Sequence, residues 1–276
     1  MNSVAAKAKA QRLRQFHAGP EPLLLINIWD IASAQIVEQL GFKALATTSA
    51  GIANQLGYPD GENISAKEML EWVGRIVRAV ELPVTADLEA GYDLQQINTL
   101  VTELIAIGGV GLNIEDADHA NHNLLEAKTQ AERIQTIREV ATELDVPIVI
   151  NARTDAYLLD TLKDDDRFSI AVERARAYRN AGADCIFVPG LRDLAVIEQL
   201  LRASPGPVNI LAGPGFPSVD ELSRIGVRRI SLGSSPHRAT LGLLRAMGKE
   251  LMETGTYEQL SKFVIPYDEV NRLVGR

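Results

Sequence analysis

Short apolar runs rich in Val, Ile and Leu alternate along the chain with longer segments whose apolar residues recur every three or four positions. Runs of the first kind predict buried strands, and segments of the second kind predict amphipathic helices. Eight strands are expected, over Leu23–Ile28, Ala44–Thr48, Pro83–Asp87, Val110–Glu115, Pro147–Asn151, Asp184–Val188, Val208–Leu211 and Arg229–Leu232. Helices are expected over Ile31–Leu40, Ala66–Ala79, Leu94–Ile107, Thr129–Leu144, Arg167–Ala181, Leu194–Arg202, Ser218–Ile225 and His237–Glu253. A helix between two strands returns the chain to the same end of the sheet, so the strands must pair in parallel.

The punctuation repeats. Gly41-Phe42, Gly108-Gly109, Ala181-Gly182-Ala183 and Ile225-Gly226-Val227 read as glycine caps between a helix and the next strand. Glu81-Leu82-Pro83, Asp145-Val146-Pro147 and Pro205-Gly206-Pro207 place proline at the start of a strand, where no ladder donor is lost. Eight such units in roughly 230 residues match an α/β fold of the (β/α)₈ TIM-barrel kind. An open, doubly wound sheet is the competitor, but no G-x-G-x-x-G follows the first strand, which removes its dinucleotide-binding form. An N-terminal helix is expected before the barrel. The segment 256–276 reads as a C-terminal helical extension, two short helices split at Ile265-Pro266. With no linker or low-complexity stretch, residues 1–276 are expected to form one domain.

Composition narrows the function classes. The chain has 276 residues, with 28 Lys and Arg against 36 Asp and Glu, a formal net charge of −8. That balance, without a dense basic run, argues against a nucleic-acid surface. The one cysteine, Cys185, excludes an internal disulfide and reads as a buried small apolar residue. Met1 to His17 lacks the apolar stretch of a secretory signal, and no apolar run approaches the ~20 residues of a membrane span. A cytoplasmic protein without a membrane partner is expected. His17 and His237 are expected at the surface or in caps.

Reactive groups in such a barrel lie at the C-terminal ends of the strands. Those ends read Asn27 to Asp30, Thr47 to Gly51, Asp87 with Glu89, Asn113 with Glu115 and Asp116, Asn151 to Asp155, Val188-Pro189-Gly190, Asn209, and Gly233-Ser234-Ser235. Carboxylates gathered at one mouth repel unless a cation sits between them. Mg²⁺, held by one or two carboxylates plus waters and a substrate, fits Asp87, Glu89 and Glu115; Mn²⁺ is the alternative ion. Thr47, Thr48 and Ser49 offer N–H groups and hydroxyls to a carboxylate. Arg153 offers a fork that stays charged beside acids, and Asn209 suits a second carboxylate. A metal beside a 2-oxo acid polarises the carbonyl and stabilises an enolate. The structural alternative is an ion-paired barrel rim, with Arg153 paired to the acids and the Thr/Ser run capping a helix.

Four segments within about Leu23 to Arg245 stand out: Thr47-Thr48-Ser49-Ala50-Gly51 with Leu56-Gly57-Tyr58-Pro59-Asp60-Gly61, Thr85-Ala86-Asp87-Leu88-Glu89-Ala90-Gly91-Tyr92, Asn113-Ile114-Glu115-Asp116 and Asn151-Ala152-Arg153-Thr154-Asp155-Ala156. They carry a resemblance to the isocitrate lyase/phosphoenolpyruvate mutase superfamily. It implies a (β/α)₈ barrel that binds Mg²⁺ and a 2-oxo acid and makes or breaks C–C or P–C bonds through an enolate-like intermediate. It implies that Asp60, Asp87, Glu89 and Glu115 belong to the acidic Mg²⁺ shell. Thr47, Thr48, Ser49, Arg153 and Asn209 would bind substrate, with Asp60 beside them. It also implies a homodimer or homotetramer that exchanges C-terminal helices.

Departures from the family pattern shape the functional expectation. The loop after the fourth strand reads Ala117-Asp118-His119-Ala120-Asn121-His122-Asn123-Leu124, without the Lys-Cys-Gly-His motif of the authentic lyases. His119 or His122 is the candidate replacement for its proton donor, since an imidazole serves as acid or base near neutral pH. The candidate catalytic residues are therefore Arg153, Glu115, His119 and His122. The expected activity is Mg²⁺-dependent C–C cleavage of a small 2-oxo acid or related carboxylate. Oxaloacetate decarboxylation or hydrolysis and P–C cleavage are the alternatives within the class. A non-catalytic 2-oxo-acid binder and a phosphate-handling barrel are the alternatives outside it.

Overall fold

In a computed structural model, the residues described are 3–93, 95–204 and 206–274. Leu94, Pro205 and the two chain ends, which fall within expected elements, lie outside them. Helix α1 (Ser3–Ala18) comes first, followed by strands β1 (Leu23–Leu25) and β2 (Asn27–Ile28). Then come α2 (Ile31–Gln39), β3 (Leu45–Thr47), α3 (Ser49–Gln55), α4 (Ala66–Arg78), β4 (Val84–Asp87), α5 (Ile97–Ala106) and β5 (Gly111–Glu115). A hairpin of β6 (Ala117–Asp118) and β7 (Asn123–Leu124) precedes α6 (Ala127–Glu143), β8 (Val149–Arg153), α7 (Asp164–Asn180), β9 (Cys185–Phe187), α8 (Leu194–Ala203) and β10 (Val208–Leu211). The chain continues through α9 (Val219–Arg224), β11 (Arg229–Ser231), α10 (Ser235–Glu253), α11 (Glu258–Phe263) and α12 (Tyr267–Val274).

Nine strand segments form one parallel sheet in the order β1-β11-β10-β9-β8-β5-β4-β3-β2. The two outermost segments are the halves of one run, broken at Ile26. The sheet therefore closes on its first strand, and the fold is the expected TIM-type barrel. The strands are apolar on the side that faces the helices, and polar side chains recur at every second position facing inward, as the two-residue period requires. Thr85 and Asp87, Asn151 and Arg153, and Arg229 and Ser231 are such inward pairs; each residue lines the central cavity.

Helix α1 runs beneath the barrel. Ala6, Ala10, Leu13 and His17 are all buried, a spacing that puts them on one face. Lys7 pairs with Asp145 at 2.6 Å and Arg14 with Asp184 at 3.0 Å, tying α1 to the turns that feed β8 and β9. Leu13 approaches so closely that a Cβ on Gly111 would stand 2.9 Å from its Cδ2, which is why β5 begins with glycine. At the C-terminal end, α12 lies against α2 of the same chain with Leu273 buried.

Several expectations need correction. His17 and His237 are both buried rather than superficial. His17 Nδ1 lies 2.9 Å from the Leu13 carbonyl, and the His237 ring packs edge-on to Trp29 at 5.1 Å. The fifth strand runs to Arg153 rather than stopping at Asn151, because β8 pairs with β5 over its full length. Helix α3 and the β6–β7 hairpin were not expected.

Candidate active site

The C-terminal ends of the strands enclose a cavity of about 180 Å³. Sheet register decides which side chains meet there. Asp87 is in register with Asn113, and Asn113 with Asn151. The result is a directed chain: Asn151 Nδ2 donates to Asn113 Oδ1 at 2.9 Å, and Asn113 Nδ2 donates to Asp87 Oδ1 at 2.8 Å. The other Asp87 oxygen accepts from Ser49 N at 3.2 Å and Ser49 Oγ at 2.9 Å. Thr47 Oγ1 accepts from the Asp87 backbone N–H at 2.9 Å. Thr48 is the N-cap of α3, its hydroxyl accepting from Gly51 N at 3.4 Å. The Thr47–Ser49 run is thus both helix-capping chemistry and cavity wall.

Asp60 reaches the same wall, with its Oδ1 3.5 Å from Ser49 Oγ. Burial, followed by the charge of Asp87, pushes its carboxyl above the usual range. Glu89 sits behind the wall. Its Oε2 accepts from the backbone N–H of Gly61 at 3.0 Å and from that of Glu62, and Tyr92 Oη donates to its other oxygen at 3.4 Å. Burial raises the Glu89 carboxyl to about 8, with Asp87, Asp60 and Glu115 adding to the shift.

The register of β5 on β8 places Glu115 beside Arg153. Arg153 Nη1 pairs with Glu115 Oε2 at 2.6 Å, and its Nε and Nη2 fork onto Asp155 at 2.5 and 2.8 Å. His119, just past β6, brings Nε2 to 3.0 Å from Glu115 Oε1. That carboxylate holds the His119 imidazole up at about 9, against the opposing effect of burial. Burial pushes Glu115 itself upward, while Arg153 and His119 work against the shift.

Behind this pair lies Asp116, with no exposed surface. It accepts from Tyr178 Oη at 2.6 Å, from Arg174 Nη1 at 2.9 Å and from the Asp155 backbone N–H at 2.9 Å. Asp116 therefore fixes Asp155, and Asp155 fixes Arg153. Reasoning from sequence assigned no role to Asp116, Asp155, Tyr178 or Arg174. The run of polar residues after β8 was the available signal for Asp155; nothing in the helical pattern of α7 singles out Arg174.

The structure brings Thr47, Thr48, Ser49, Asp60, Asp87, Arg153 and Asn209 to the cavity wall. It holds Glu89 and Glu115 outside that lining, each bonded to protein groups. His122 is exposed in the turn between β6 and β7, on a backbone of φ 49°. The turn is drawn tight by Asn121, whose N and Nδ2 donate to Asp118 at 3.1 and 2.8 Å. Among the described residues, no three His, Cys, Asp or Glu side chains already stand as ligands of one metal ion. Asp87 and Asp60 offer hard oxygen donors beside open space. That suits an ion which keeps several waters and takes one or two carboxylates.

Comparison with known proteins assigns the chain to a family. The family model for phosphoenolpyruvate phosphomutase matches residues 13–252. The chain belongs to that family. It is an enzyme of the isocitrate lyase/phosphoenolpyruvate mutase superfamily. A 2-methylisocitrate lyase of Shewanella oneidensis is 32% identical over 206 residues, 71% of this chain and 68% of that protein. Oxaloacetate decarboxylase 2 of Pseudomonas fluorescens is 29% identical, over 87% of this chain and 84% of the relative. Among solved structures, a putative lyase/mutase from Burkholderia cenocepacia superposes with a TM-score of 0.91 at 33% identity, covering 99% of this chain and 98% of the other. Among the described residues, no helix is long and apolar enough to cross a membrane.

Proposed function

We propose that the protein is a Mg²⁺-dependent carbon–carbon lyase acting on a small 2-oxo acid or a related hydroxy acid through an enolate-like intermediate. The supporting observation is the juxtaposition, across one cavity, of Asp87 with the Ser49 N–H and hydroxyl on one wall and the Arg153 guanidinium on the other. A void near 150 Å³ holds benzene. A cavity of about 180 Å³ thus suits an acid of roughly four to five carbons. The named activities of the lyase and decarboxylase relatives both break a bond next to a carboxylate-bearing carbon.

Asp87 and Asp60 would hold Mg²⁺, with Glu89 and Glu115 adding negative charge behind them. When bound, the ion would supply positive charge that stabilises an enolate. Arg153, held on three sides by Glu115 and Asp155, orients a substrate carboxylate and offsets the charge that develops as the bond breaks. Ser49 and the start of α3 hold the opposite end of the same group. His119, charged through Glu115 and standing behind the cavity lining, is the candidate to supply a proton to the departing carbanion, the role that the missing loop cysteine would otherwise fill. The exposed apolar residues of α10 to α12, Leu244, Leu251, Met252 and Phe263 among them, support a homo-oligomer formed through that end of the chain.

The experiment is a turnover assay of purified protein with Mg²⁺ on oxaloacetate, 2-methylisocitrate and phosphonopyruvate, in wild type and Asp87→Ala. Turnover of a carbon acid that Asp87→Ala abolishes supports the reading. Turnover of phosphonopyruvate alone, or activity unchanged in the variant, removes it. Binding without any turnover would leave a 2-oxo-acid binder.

A further inference from the structure

Helix α6 turns two polar side chains inward, on the buried face that continues as Ile134, Ile137, Val140 and Ala141. Gln130 has no exposed surface, and Arg133 is 5% exposed. Three residues apart, they meet on one side of the helix. Buried guanidinium groups ordinarily hold a carboxylate, because an isolated buried charge is costly. Arg138, on the same helix, holds Asp184 in this way. Arg133 instead gives its donors to neutral oxygens: Nη1 donates to Gln130 Oε1 at 2.7 Å, and Nη2 donates to the Ala90 carbonyl. Gln130 Nε2 in turn donates to the Glu115 carbonyl at 3.1 Å. Burial disfavours the Arg133 charge, and the Glu62 carboxylate works against that.

What these two side chains hold is the backbone behind the acidic wall. Ala90 lies in the turn after β4, and Glu115 ends β5. Glu115 N donates to the Glu89 carbonyl at 2.9 Å, and Gly91 N to the Leu88 carbonyl at 2.9 Å. Two non-glycine residues of this turn are left-handed, Glu89 at φ 51° and Tyr92 at φ 63°, a conformation that persists only where the surroundings impose it. A Cβ on Gly91 would run into Arg133 Nη2, so the guanidinium lies directly on the turn.

A reciprocal pair of contacts passes the constraint on to Asp60. Glu89 Oε2 accepts from the N–H groups of Gly61 and Glu62, and Glu62 Oε1 accepts from the Tyr92 N–H at 2.5 Å. The 60–63 segment and the 88–92 turn are thus locked to each other, with Arg133 at the back of the turn. Asp60 begins the locked segment, and its Oδ1 lies 3.5 Å from the Ser49 hydroxyl that donates to Asp87.

We propose that Arg133, seated on Gln130, is a positioning residue for the divalent-cation site: it fixes the 88–92 turn and, through Glu89, the 61–62 backbone, so that Asp60 is held beside Asp87. This rests on the reading of Asp60 and Asp87 as the carboxylates of the ion, and it is tested by ion binding without turnover.

The test is titration of the full-length protein with Mn²⁺ as a stand-in for Mg²⁺, followed by the electron paramagnetic resonance signal of the free ion. The proteins are wild type, Asp87→Ala, Arg133→Met, Arg133→Lys and Arg138→Met. Wild type should bind Mn²⁺ that Mg²⁺ displaces, and Asp87→Ala should lose it. Arg133→Met should weaken binding by about tenfold or more, as loss of a group that orients a metal's ligands does. Arg133→Lys keeps the charge but cannot fork between Gln130 and the Ala90 carbonyl, and should fall between. Arg138→Met breaks comparable contacts of the same helix at the far end of the barrel, so it should lower the melting temperature and leave Mn²⁺ affinity unchanged. Should Arg133→Met fail to fold, Arg133→Lys carries the test against the same control. Unchanged affinity in the Arg133 variants, or an equal loss in Arg138→Met, would overturn the positioning role while the cation site stood. No Mn²⁺ binding by wild type, or binding indifferent to Asp87→Ala, would remove the cation site and the positioning role together. An absence of turnover on every candidate acid, with the Arg133 dependence of Mn²⁺ binding intact, would remove the lyase reading and leave the positioning role standing.

Discussion

Replacing Asp116 by Asn probes the support of Arg153 most directly. Asp116 is fully buried and is the carboxylate partner of Arg174, whose side chain is 11% exposed. The substitution keeps the shape but removes the charge. Arg174 is then left with Tyr178 Oη alone, at 3.0 Å, and breaking a buried pair in this way costs about 3–5 kcal/mol. Unfolding entropy of about 2.1 cal/mol/K per residue amounts, for this chain, to roughly 0.6 kcal/mol/K. The melting temperature should therefore fall by about 5–9 °C. Tyr178→Phe removes a hydrogen bond to a charged acceptor but leaves Arg174 on Asp116, a cost of about 1.5–3 kcal/mol and about 3–5 °C. The two changes act on one network, so the double variant should be more stable than additivity requires by about 1 kcal/mol or more. Asp155 is anchored through its N–H to Asp116, so Asp116→Asn should also lower kcat, with a smaller effect on KM. Thermal and urea denaturation of the four proteins, with kinetics on each, reads all of this. An Asp116→Asn protein melting within about 2 °C of wild type, or strict additivity in the cycle, would refute the idea that this buried acid holds the site together.

Three more expectations follow from particular contacts. Burial, aided by the nearby Arg229 charge, lowers the folded His17 imidazole to about 3, whereas an unfolded histidine takes its proton near pH 6.5. Stability should be unaffected by this group above pH 6.5 and fall below it by about 1.4 kcal/mol per pH unit relative to His17→Gln; parallel stability profiles from pH 7 to 4 would sink the assignment. Arg153→Lys cannot reproduce the fork onto Asp155 while reaching Glu115, and should lower kcat by about 10²-fold, with a near-normal rate counting against an orienting role. His119→Ala should lower kcat by about 10²-fold or more and alter the pH–rate profile, whereas exposed His122→Ala should stay within about twofold; equal losses from the two would contradict the geometry.

Much of this was legible in the chain, for identifiable reasons. The barrel follows from the alternation of apolar runs and amphipathic segments, and glycines such as Gly41 and Gly182, with φ of 84° and 106°, sit where those periods change. Asp87, Arg153 and the Thr47–Ser49 run were found because the ends of parallel strands must share one rim. Helix α3 was not legible: its sequence, Ser49 to Gln55, contains a glycine and little helix propensity. It forms because Thr48 caps it and because Ser49, Gly51, Ile52 and Ala53 are buried. The β6–β7 hairpin escaped notice because its strands are two residues each. The environments of His17 and His237 depend on what packs over them from distant segments, α1 under the barrel and Trp29 beside α10, which local periodicity does not encode. Arg229 was passed over for the same reason. A charged residue opening a strand looks superficial until the register shows that it faces the barrel axis.

The distribution of unpartnered groups within the barrel carries an argument of its own. At the rim the charges hold one another: Arg153 between Glu115 and Asp155, Asp87 under Ser49 and Asn113, Glu89 on the 61–62 backbone. Thr85 Oγ1, Asn151 Oδ1, Asn209 Nδ2 and the Arg229 donors are buried without partners among the described residues, and all four side chains line the cavity. Buried polar groups are satisfied almost everywhere in folded proteins, and each exception calls for an explanation. Packing alone is a poor one, since apolar residues of the same volume would fill a barrel axis at no desolvation cost. A ligand in the cavity that supplies partners to these axial groups would explain the set. Substitutions at these axial positions should then change how tightly an acid binds, and substitutions at the rim should change how fast it reacts.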